Sequence, residues 1–402
     1  MRRVLEAVVR FLGSFRLAVA LFIALLVVVL VGTLEQQRMS LYDVQRTYFA
    51  SLYFTRRVFG AIPVPFPGGA LLLAVLLINL VIGGLMRMRW SKSKAGVLIT
   101  HLGIVFLLVG GFVEYRWSKK GFLQLYEKQS GARFQSYDDW DLAIVRDGAE
   151  RREWFVASEV VSAAASPVRV RASAPDLPFE VVLSGHSRNT AVRAAASPTD
   201  GIDGVEMVEA EAPLDPDSPS VPGLVVSLEP PAPAPPVKGY VRAPVRTKSS
   251  SPAMAFTTEL LGATWHVALV SRTWPIPFET RLDRFVHKEH PGTRAPKEFS
   301  SYVSVTDGGV ARDVHITMNE PLRLRGMTLY QSQWGQDERG TYSVFAVVFN
   351  PSDQVPKWAC WVIFLGMLVH FGTKLERHLR AERARRGAVP PAGDAAAAGS
   401  TT

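Results

Sequence analysis

Two histidines lie inside apolar stretches of the chain, where an ionisable side chain is costly and is therefore a candidate functional group. His101 lies seven residues after Lys94, and His370 lies four residues before Lys374. At about 1.5 Å of rise per helical residue, both imidazoles are expected within roughly 6 to 11 Å of one membrane face. They could share one haem iron, or each could meet a ligand from another subunit. The alternative is a histidine that hydrogen-bonds a neighbouring helix.

The other chemistry-bearing residues do not form a recognisable catalytic set, and no catalytic residue is predicted. Structural or solvated roles are expected for the remaining histidines, which are His186, His266, His287, His290, His315 and His378. The one cysteine, Cys360, excludes a disulfide framework, a Cys-x-x-Cys redox pair and a Cys-x-x-Cys-His haem-attachment site within this sequence. No Walker-type phosphate loop occurs, which argues against an ATP-driven transporter.

Four apolar stretches are long enough to cross a bilayer, at about 17–33, 68–86, 95–113 and 357–373. A helix needs about 20 such residues to span the hydrocarbon layer. The first stretch also resembles a cleavable signal peptide, but the sequence after it lacks the small-x-small cleavage pattern. The pattern therefore predicts a multi-pass α-helical membrane protein with four transmembrane helices.

Basic residues cluster in three short segments beside these stretches. The segments 1–16, 87–94 and 374–386 hold 14 of the 45 Lys and Arg residues. Because basic residues in short loops stay on the cytoplasmic side, both termini are expected in the cytoplasm. The net charge of +9 then reflects topology and contact with membrane lipid. A nucleic-acid partner is not expected.

The segment 114–356, between the third and fourth stretches, is predicted to be a mainly β extracytoplasmic domain. Short runs rich in β-branched and aromatic residues alternate there with turn residues. Asp307, Gly308 and Gly309 predict a hairpin between two of the strands. Within the domain, Pro, Ala and Ser dominate residues 212–252, which predicts a mobile insertion that cannot build a core and that contains a strand only at Leu224 to Leu228. The basic segment 374–402 after the fourth stretch is expected to be a disordered cytoplasmic tail.

Two interpretations remain open for the aromatic segment between the first and second stretches. Apolar residues from Leu41 to Tyr53 recur at helical spacing, which favours an amphipathic helix in the outer membrane interface. Pro63, Pro65 and Pro67 would end that helix. The alternative is a loop that carries an ordinary belt of interfacial aromatic residues.

Several short motifs resemble those of the ResB (CcsB) family of cytochrome c biogenesis proteins. They are Phe15-Arg16-Leu17, Gly32-Thr33, His101-Leu102-Gly103, Gly110-Gly111, Asn319-Glu320-Pro321-Leu322, Gly326, Tyr330-Gln331-Ser332 and Phe349-Asn350-Pro351. The resemblance extends from about Phe15 to Thr373, and its most specific part is Asn319 to Ser332.

The resemblance implies a role in the haem-delivery pathway called System II, in the bacterial cytoplasmic (inner) membrane. It implies a complex with a ResC (CcsA) type membrane protein that exports haem and attaches it to apocytochrome c. By similarity, His101 ligates the iron of a transient haem b together with a ligand from that partner. His370 matches no family ligand and is the second candidate haem-binding residue. The chain would then be a non-catalytic or co-catalytic subunit of a haem lyase complex.

A second hypothesis gives the chain a different role. It would be a membrane-tethered structural subunit or apocytochrome chaperone that does not itself bind haem. His101 would then be a packing residue. A third hypothesis, a solute transporter, is disfavoured by four spans without a visible inverted repeat.

Overall fold

The chain divides into two compact units. The computed structural model describes residues 1–58, 62–88, 91–148, 151–170, 177–197, 201–211, 213, 220–244, 254–290, 292 and 296–387. The membrane unit comprises Met1–Gly32, Arg46–Arg116 and Ser352–Thr402, and the β unit comprises Thr33–Gln45 and Trp117–Pro351.

The membrane unit contains the long apolar helices. In chain order, the α-helices of the described residues are α1 (Arg2–Leu12), α2 (Phe15–Glu35), α3 (Leu41–Val44), α4 (Gly69–Asn79), α5 (Ala95–Trp117), α6 (Ser158–Ala163) and α7 (Val355–Gly387). Turns of π-helix follow α3 at Gln45–Phe49 and α4 at Leu80–Met86. Four helical segments are apolar and long enough to cross a membrane: Phe15–Glu35, Gly69–Met86, Lys92–Trp117 and Val355–Arg385. The prediction of four transmembrane helices is confirmed at this level, and the chain is a membrane protein.

The last helix is longer than expected. The sequence predicted that the fourth span ends at 373 and that a disordered tail follows, but α7 continues to Gly387. The extension consists mainly of Leu, Ala, Arg and Glu, which are good helix formers, and Arg380 pairs with Glu376 one turn earlier. The prediction of a disordered tail is therefore wrong for residues 374–387. Residues 388–402 lie outside the described ones.

The segment between the first two spans forms less helix than the amphipathic pattern indicated. Helical structure ends at Phe49, and the chain then pairs β1 (Tyr53–Val58) with β2 (Ile62–Pro67). The prolines therefore lie within a strand and do not end a helix. Pro63, Pro65 and Pro67 occupy alternate positions of β2, where a two-stranded ribbon has N–H groups that face away from its partner.

The β unit is antiparallel. Its strands are β3 (Lys119–Tyr126), β4 (Ser130–Arg146), β5 (Arg152–Val156), β6 (Val168–Val170), β7 (Glu180–Ser187), β8 (Thr190–Ala194), β9 (Val205–Glu209), β10 (Gly223–Glu229), β11 (Val237–Arg242), β12 (Phe256–Leu260), β13 (Ala263–Glu289), β14 (Pro296–Asp307), β15 (Val310–Thr317), β16 (Leu322–Leu324), β17 (Met327–Asp337) and β18 (Gly340–Phe349). The largest sheet has the order β15-β14-β13-β4-β3-β18-β17-β16, with β12 beside β13 and β5 beside β4. A second sheet has the order β11-β10-β7-β6, and β8 pairs with β9. The mainly β character is confirmed.

Strand β13 contributes to both hydrophobic cores of the β unit. Its first part places Trp265, Val267 and Leu269 in a core shared with β4, β7 and β10. Its second part places Ile276 and Leu282 in a core shared with β3, β14, β17 and β18. The pairing of β13 with β4 shifts in register between these two parts. One long strand therefore contributes to both cores, with an irregularity between them.

The Pro-rich stretch is part of the fold where the structure describes it. Strands β10 and β11 lie within it, and Leu224, Val226, Leu228 and Val241 are fully buried. The prediction that residues 212–252 cannot build a core is therefore wrong for 220–244. The strand expected at Leu224 to Leu228 is confirmed as β10, but β11 was not expected, and composition averaged over the whole stretch did not predict that both strands are buried. Residues 212, 214–219 and 245–252 lie outside the described ones.

Candidate functional site

His101 is held against the second span by its own ring nitrogen. Its Nδ1 lies 3.2 Å from the carbonyl oxygen of Gly84, and the side chain is half-buried in α5. A carbonyl can only accept a hydrogen bond, so Nδ1 is assigned the proton and Nε2 the lone pair. That tautomer leaves Nε2 as the nitrogen that can bind a metal ion or accept a proton.

Glycine is required at position 84, because any larger residue there would displace this imidazole. A Cβ built on Gly84 would lie 2.6 Å from His101 Nδ1 and 3.1 Å from Cε1. Gly84 belongs to the π-helical turn Leu80–Met86, a rare geometry that occurs often at functional sites. The sequence identified His101 by its depth in the span, but neither the π-helical turn nor the partner carbonyl has a recognised sequence signal.

His370 has a buried nitrogen without a hydrogen bond. Among the described residues its Nδ1 has no partner, although the atom is shielded from solvent. Its ring meets Phe371 edge-on at 5.4 Å between centroids. Buried polar atoms are nearly always paired, so an unpaired one needs an explanation such as a ligand or a catalytic role.

Three glycines of α5 let it approach α7 very closely. Gly96, Gly103 and Gly110 are buried and recur every seven residues, so they lie on one face of the helix. A Cβ on Gly96 would collide with the backbone nitrogen of His370, and one on Gly103 would lie 3.0 Å from the backbone nitrogen of Ile363. Close packing through small residues is typical of membrane helices.

The two candidate histidines therefore have different neighbours. His101 contacts the second span at Gly84, while the backbone of His370 packs on the third span at Gly96. No hydrogen bond or ring contact within the described parts of the chain joins the two imidazoles. A shared haem iron remains a prediction for this pair.

The other histidines have partners of ordinary kinds. His266 bonds Asp147 at 2.8 Å and Thr257 at 2.9 Å, and His315 stacks on Tyr302. Burial, with the nearby Arg188 as a smaller cause, lowers the pKa of His186. His287 stacks on Phe299.

His378 lies 3.9 Å from Glu382 in the exposed last turns of α7, and His290 also interacts with its surroundings. Within the ranges that the structure describes, no three His, Cys, Asp or Glu side chains form a metal-binding group.

The β unit contains an open groove with a cavity of about 1360 Å³. Seven of the thirty described residues that line it are aromatic, namely Tyr42, Phe122, Tyr137, Trp140, Phe155, Trp334 and Tyr342. Its lining residues come from α3 and from strands β3, β4, β5, β13, β17 and β18, together with nearby loops. Sequence reasoning missed the groove because its lining comes from segments far apart in the chain.

Two arginines are fixed at the wall of this groove. Arg188 bonds Asp138 at 2.7 Å and lies over the ring of Tyr42. Arg133 donates to Thr273 Oγ1 at 2.7 Å. Aromatic faces beside fixed cationic groups suit a ligand that is partly apolar and carries acceptor groups.

The segment from Asn319 to Ser332 forms a tight hairpin with a buried end. Thr317 Oγ1 accepts from the backbone N–H groups of Asn319 and Glu320, which turns the chain into β16. Arg325 and Gly326 then form the two-residue turn between β16 and β17, both with positive φ. Such a turn matches the twist of paired strands and favours glycine.

Gln331, on β17, is the centre of a buried polar network in the core of the β unit. Its amide accepts from Ser301 Oγ at 2.6 Å and donates to Ser343 Oγ at 2.9 Å. Ser301 and Ser343 are fully buried and also bond each other. A satisfied buried network fixes how β14 packs against the neighbouring strands β17 and β18 in this core.

The last part of the β unit and the first part of α7 match the model of a known protein family. Residues 255–371 match the model of the ResB-like family. The segment runs from β12 into α7, so it contains Gln331 and His370 but not His101. The resemblance to the ResB family is thus confirmed for the C-terminal part of the chain.

Two relatives are similar over shorter stretches. Protein NrfI of Wolinella succinogenes is 33% identical over 96 residues, which cover 23% of this chain and 10% of NrfI. The cytochrome c biogenesis protein CcsB of Synechococcus sp. RCC307 is 41% identical over 59 residues, which cover 14% of this chain and 13% of CcsB. The matched parts are thus a small share of either relative.

Proposed function

We propose that this membrane protein acts in cytochrome c biogenesis, as a subunit of a System II complex that exports haem and attaches it to apocytochrome c. The observation that carries the proposal is His101, an imidazole in a membrane span whose Nδ1 is bonded to Gly84 and whose Nε2 is the available ligand nitrogen. The match of residues 255–371 to the ResB-like family supports the same pathway.

The residues in the spans fit a haem group as cargo. Haem b iron takes imidazole nitrogens as axial ligands when it is bound. A ligating histidine is usually oriented by a hydrogen bond from its other nitrogen, as His101 is by Gly84. His370 offers a second imidazole, whose buried Nδ1 has no hydrogen-bond partner in the part of the chain that the structure describes.

A second membrane protein would complete the site. By the family resemblance, the second ligand of the haem iron would come from a ResC (CcsA) type subunit. This chain would then be a non-catalytic or co-catalytic member of the haem lyase complex. It would hold the haem while the partner completes attachment to apocytochrome c.

The proposed orientation places both termini in the cytoplasm and the β unit outside the bacterial inner membrane, as the basic segments indicate. An alkaline phosphatase reporter fused near Gly201 should therefore be active, and one fused after Arg386 inactive. An active reporter after Arg386 would contradict this topology.

The deciding experiment removes the His101 imidazole. His101→Ala should lower the haem absorbance of the complex purified from native membranes, while membrane insertion stays normal. Added imidazole should restore part of the absorbance by entering the vacated position. His378→Ala, which removes an exposed imidazole from the same chain, is the matched control. Full haem content in the His101 variant would show that His101 is not a ligand.

The groove of the β unit favours a second candidate function. Its aromatic lining suits an extended polypeptide, which supports a chaperone or structural subunit that holds apocytochrome c without binding haem. A photo-crosslinker at Tyr137 in the groove should then capture apocytochrome c, whereas one at Val310, an exposed hairpin residue, should not. Capture by the groove together with unchanged haem in His101→Ala would favour this candidate.

A further inference from the structure

The first helix separates its residues into two faces. In α1 the charged residues Arg2, Arg3, Glu6 and Arg10 recur at i, i+1, i+4 and i+8. The large apolar residues occupy the opposite side, at Val4, Leu5, Val8 and Phe11. This division gives an amphipathic helix with three arginines and one glutamate on its polar face.

The apolar face of α1 is uncovered. Val4 is 67% exposed, Leu5 64%, Val8 46% and Phe11 63%. No residue of α1 is buried, and all of α1 lies within the described residues. Four large apolar side chains at one end of a chain would be unfavourable in water, so they require an apolar partner.

The C-terminal end of α1 is fixed to the second span. Asn79 Nδ2 donates to the carbonyl oxygens of Leu12 at 2.5 Å and Ser14 at 3.0 Å. Gly13 and Gly83 pack backbone to backbone, since a Cβ on Gly83 would lie 2.6 Å from Gly13 O. Ser14 Oγ accepts from Leu17 N and begins α2. These contacts make the junction between α1 and α2 a defined turn.

The depth of this turn matches the membrane interface. Asn79 lies seven residues before Met86, the last residue of its span, which is at most about 10 Å of helix. Amphipathic helices lie with their apolar face about 5 to 10 Å inside the boundary between headgroups and acyl chains. The fixed end of α1 is therefore at the level where such a helix lies.

The charges at this end of the unit select the kind of lipid. Besides the arginines of α1, Arg87 donates to the Arg10 carbonyl oxygen, and Lys92 and Lys94 precede α5. Anionic headgroups attract clusters of basic residues close to the membrane surface. Neutral zwitterionic headgroups supply no such net attraction.

We propose that α1 is an anionic-lipid binding helix, which lies in the membrane interface with Val4, Leu5, Val8 and Phe11 among the acyl chains and its arginines at lipid phosphates. The lipid surface covers the apolar face, and the Asn79 contacts hold the helix there. This binding is independent of haem and of the proposed partner.

The test uses the full chain with Cys360→Ser, so that single cysteines can carry a nitroxide label. One label replaces Val8 on the apolar face and another replaces Glu6 on the polar face. The protein is reconstituted in vesicles of phosphatidylglycerol and phosphatidylethanolamine, or of phosphatidylcholine alone. Accessibility to oxygen, which concentrates in acyl chains, is compared with accessibility to a water-soluble nickel complex.

In the anionic vesicles the label at position 8 should favour oxygen and the label at position 6 nickel. Reversing three charges, with Arg2→Glu, Arg3→Glu and Arg10→Glu, should lower the membrane-bound fraction of the position-8 label about tenfold or more. Arg377→Glu, Arg380→Glu and Arg383→Glu in α7 make the same change of charge elsewhere and should leave the label unchanged.

Three outcomes would overturn the proposal. A position-8 label exposed to nickel in both vesicle types would show that lipid does not cover α1. Equal burial of the label in anionic and neutral vesicles would remove the selectivity for anionic lipid. An equal effect of the α7 reversals would assign the attraction to overall charge and not to this helix. Circular dichroism of each variant would confirm retained folding.

Discussion

The membrane unit and the β unit achieve close packing by opposite means. Gly96, Gly103 and Gly110 bring α5 against the backbone of α7 because side chains are missing there. In the β unit, Gln331 adds a long polar side chain to the core and satisfies it with Ser301 and Ser343. An added methyl group should therefore disrupt packing in the membrane unit, whereas removal of an amide should destabilise the β unit.

The largest expected effect is at the glycine face of α5. In Gly103→Leu the new side chain would meet the backbone of α7, and overpacking at an unyielding backbone should cost more than about 3 kcal/mol. The variant should accumulate poorly in membranes. Gly111→Leu is the matched control, since a Cβ there has nothing within 4 Å. Normal accumulation of the Gly103 variant would refute close packing of these helices.

The second prediction also concerns the membrane unit and tests whether Gly84 orients the His101 ring for haem binding. In Gly84→Ala the methyl group would displace the His101 ring, and loss of an orienting hydrogen bond should weaken haem binding about 10- to 100-fold. Alanine favours helix over glycine by about 1 kcal/mol, so loss of the helix should not cause the effect. Haem titration and the position of the Soret band measure it, with Gly111→Ala as control. Unchanged affinity would separate Gly84 from the haem proposal.

The third prediction concerns the polar network of the β unit. Gln331→Ala leaves the hydroxyls of Ser301 and Ser343 with fewer partners, which should cost about 1 to 3 kcal/mol. Thermal unfolding of the full chain in nanodiscs should show the decrease, while Gln336→Ala at an exposed position should differ little from the parent protein. Equal stability of the two variants would mean that the network does not stabilise this core.

A smaller effect is expected at the turn between β16 and β17. Gly326 has φ of +75°, so Gly326→Ala should cost about 1 kcal/mol through backbone strain. Gly148, which has open space around it and no positive φ, provides the control variant Gly148→Ala. Chemical denaturation compares the two, and a stable Gly326 variant would indicate that the turn relaxes.

The smallest effect is an acid dependence of the β unit. Arg272 bonds both carboxylate oxygens of Glu159 and lowers the pKa of this residue from 4.5 to about 2. The resulting stability is present above pH 4.5 and is lost as the pH falls through about 2. Since the Glu159 side chain is 72% exposed, we expect only a few tenths of a kcal/mol. The stability difference from Glu159→Gln should shrink between pH 6 and 3; a constant difference would contradict this assignment.

Local patterns predicted the elements that depend on local chemistry. The four spans begin and end within a few residues of the apolar stretches, apart from the extended end of α7. The hairpin at Asp307 forms as predicted, with Gly308 and Gly309 at positive φ between β14 and β15. For residues 220–244 the sequence predicted the strand at Leu224 to Leu228 but not its burial, because burial of Leu224 and Val226 depends on the strands packed around them and not on the prolines nearby.

The sequence by itself determined that this is a membrane protein with four apolar helices, a mainly β domain and a histidine within the third span. These features depend on hydropathy and side-chain periodicity, which are properties of short, local stretches of sequence. Tertiary packing alone established that His101 contacts Gly84, that His370 Nδ1 has no partner among the described residues, and that a groove lies across strands β4, β13 and β18. Each of these depends on which distant elements pack together, and that depends on shape and hydrogen bonding across the whole unit.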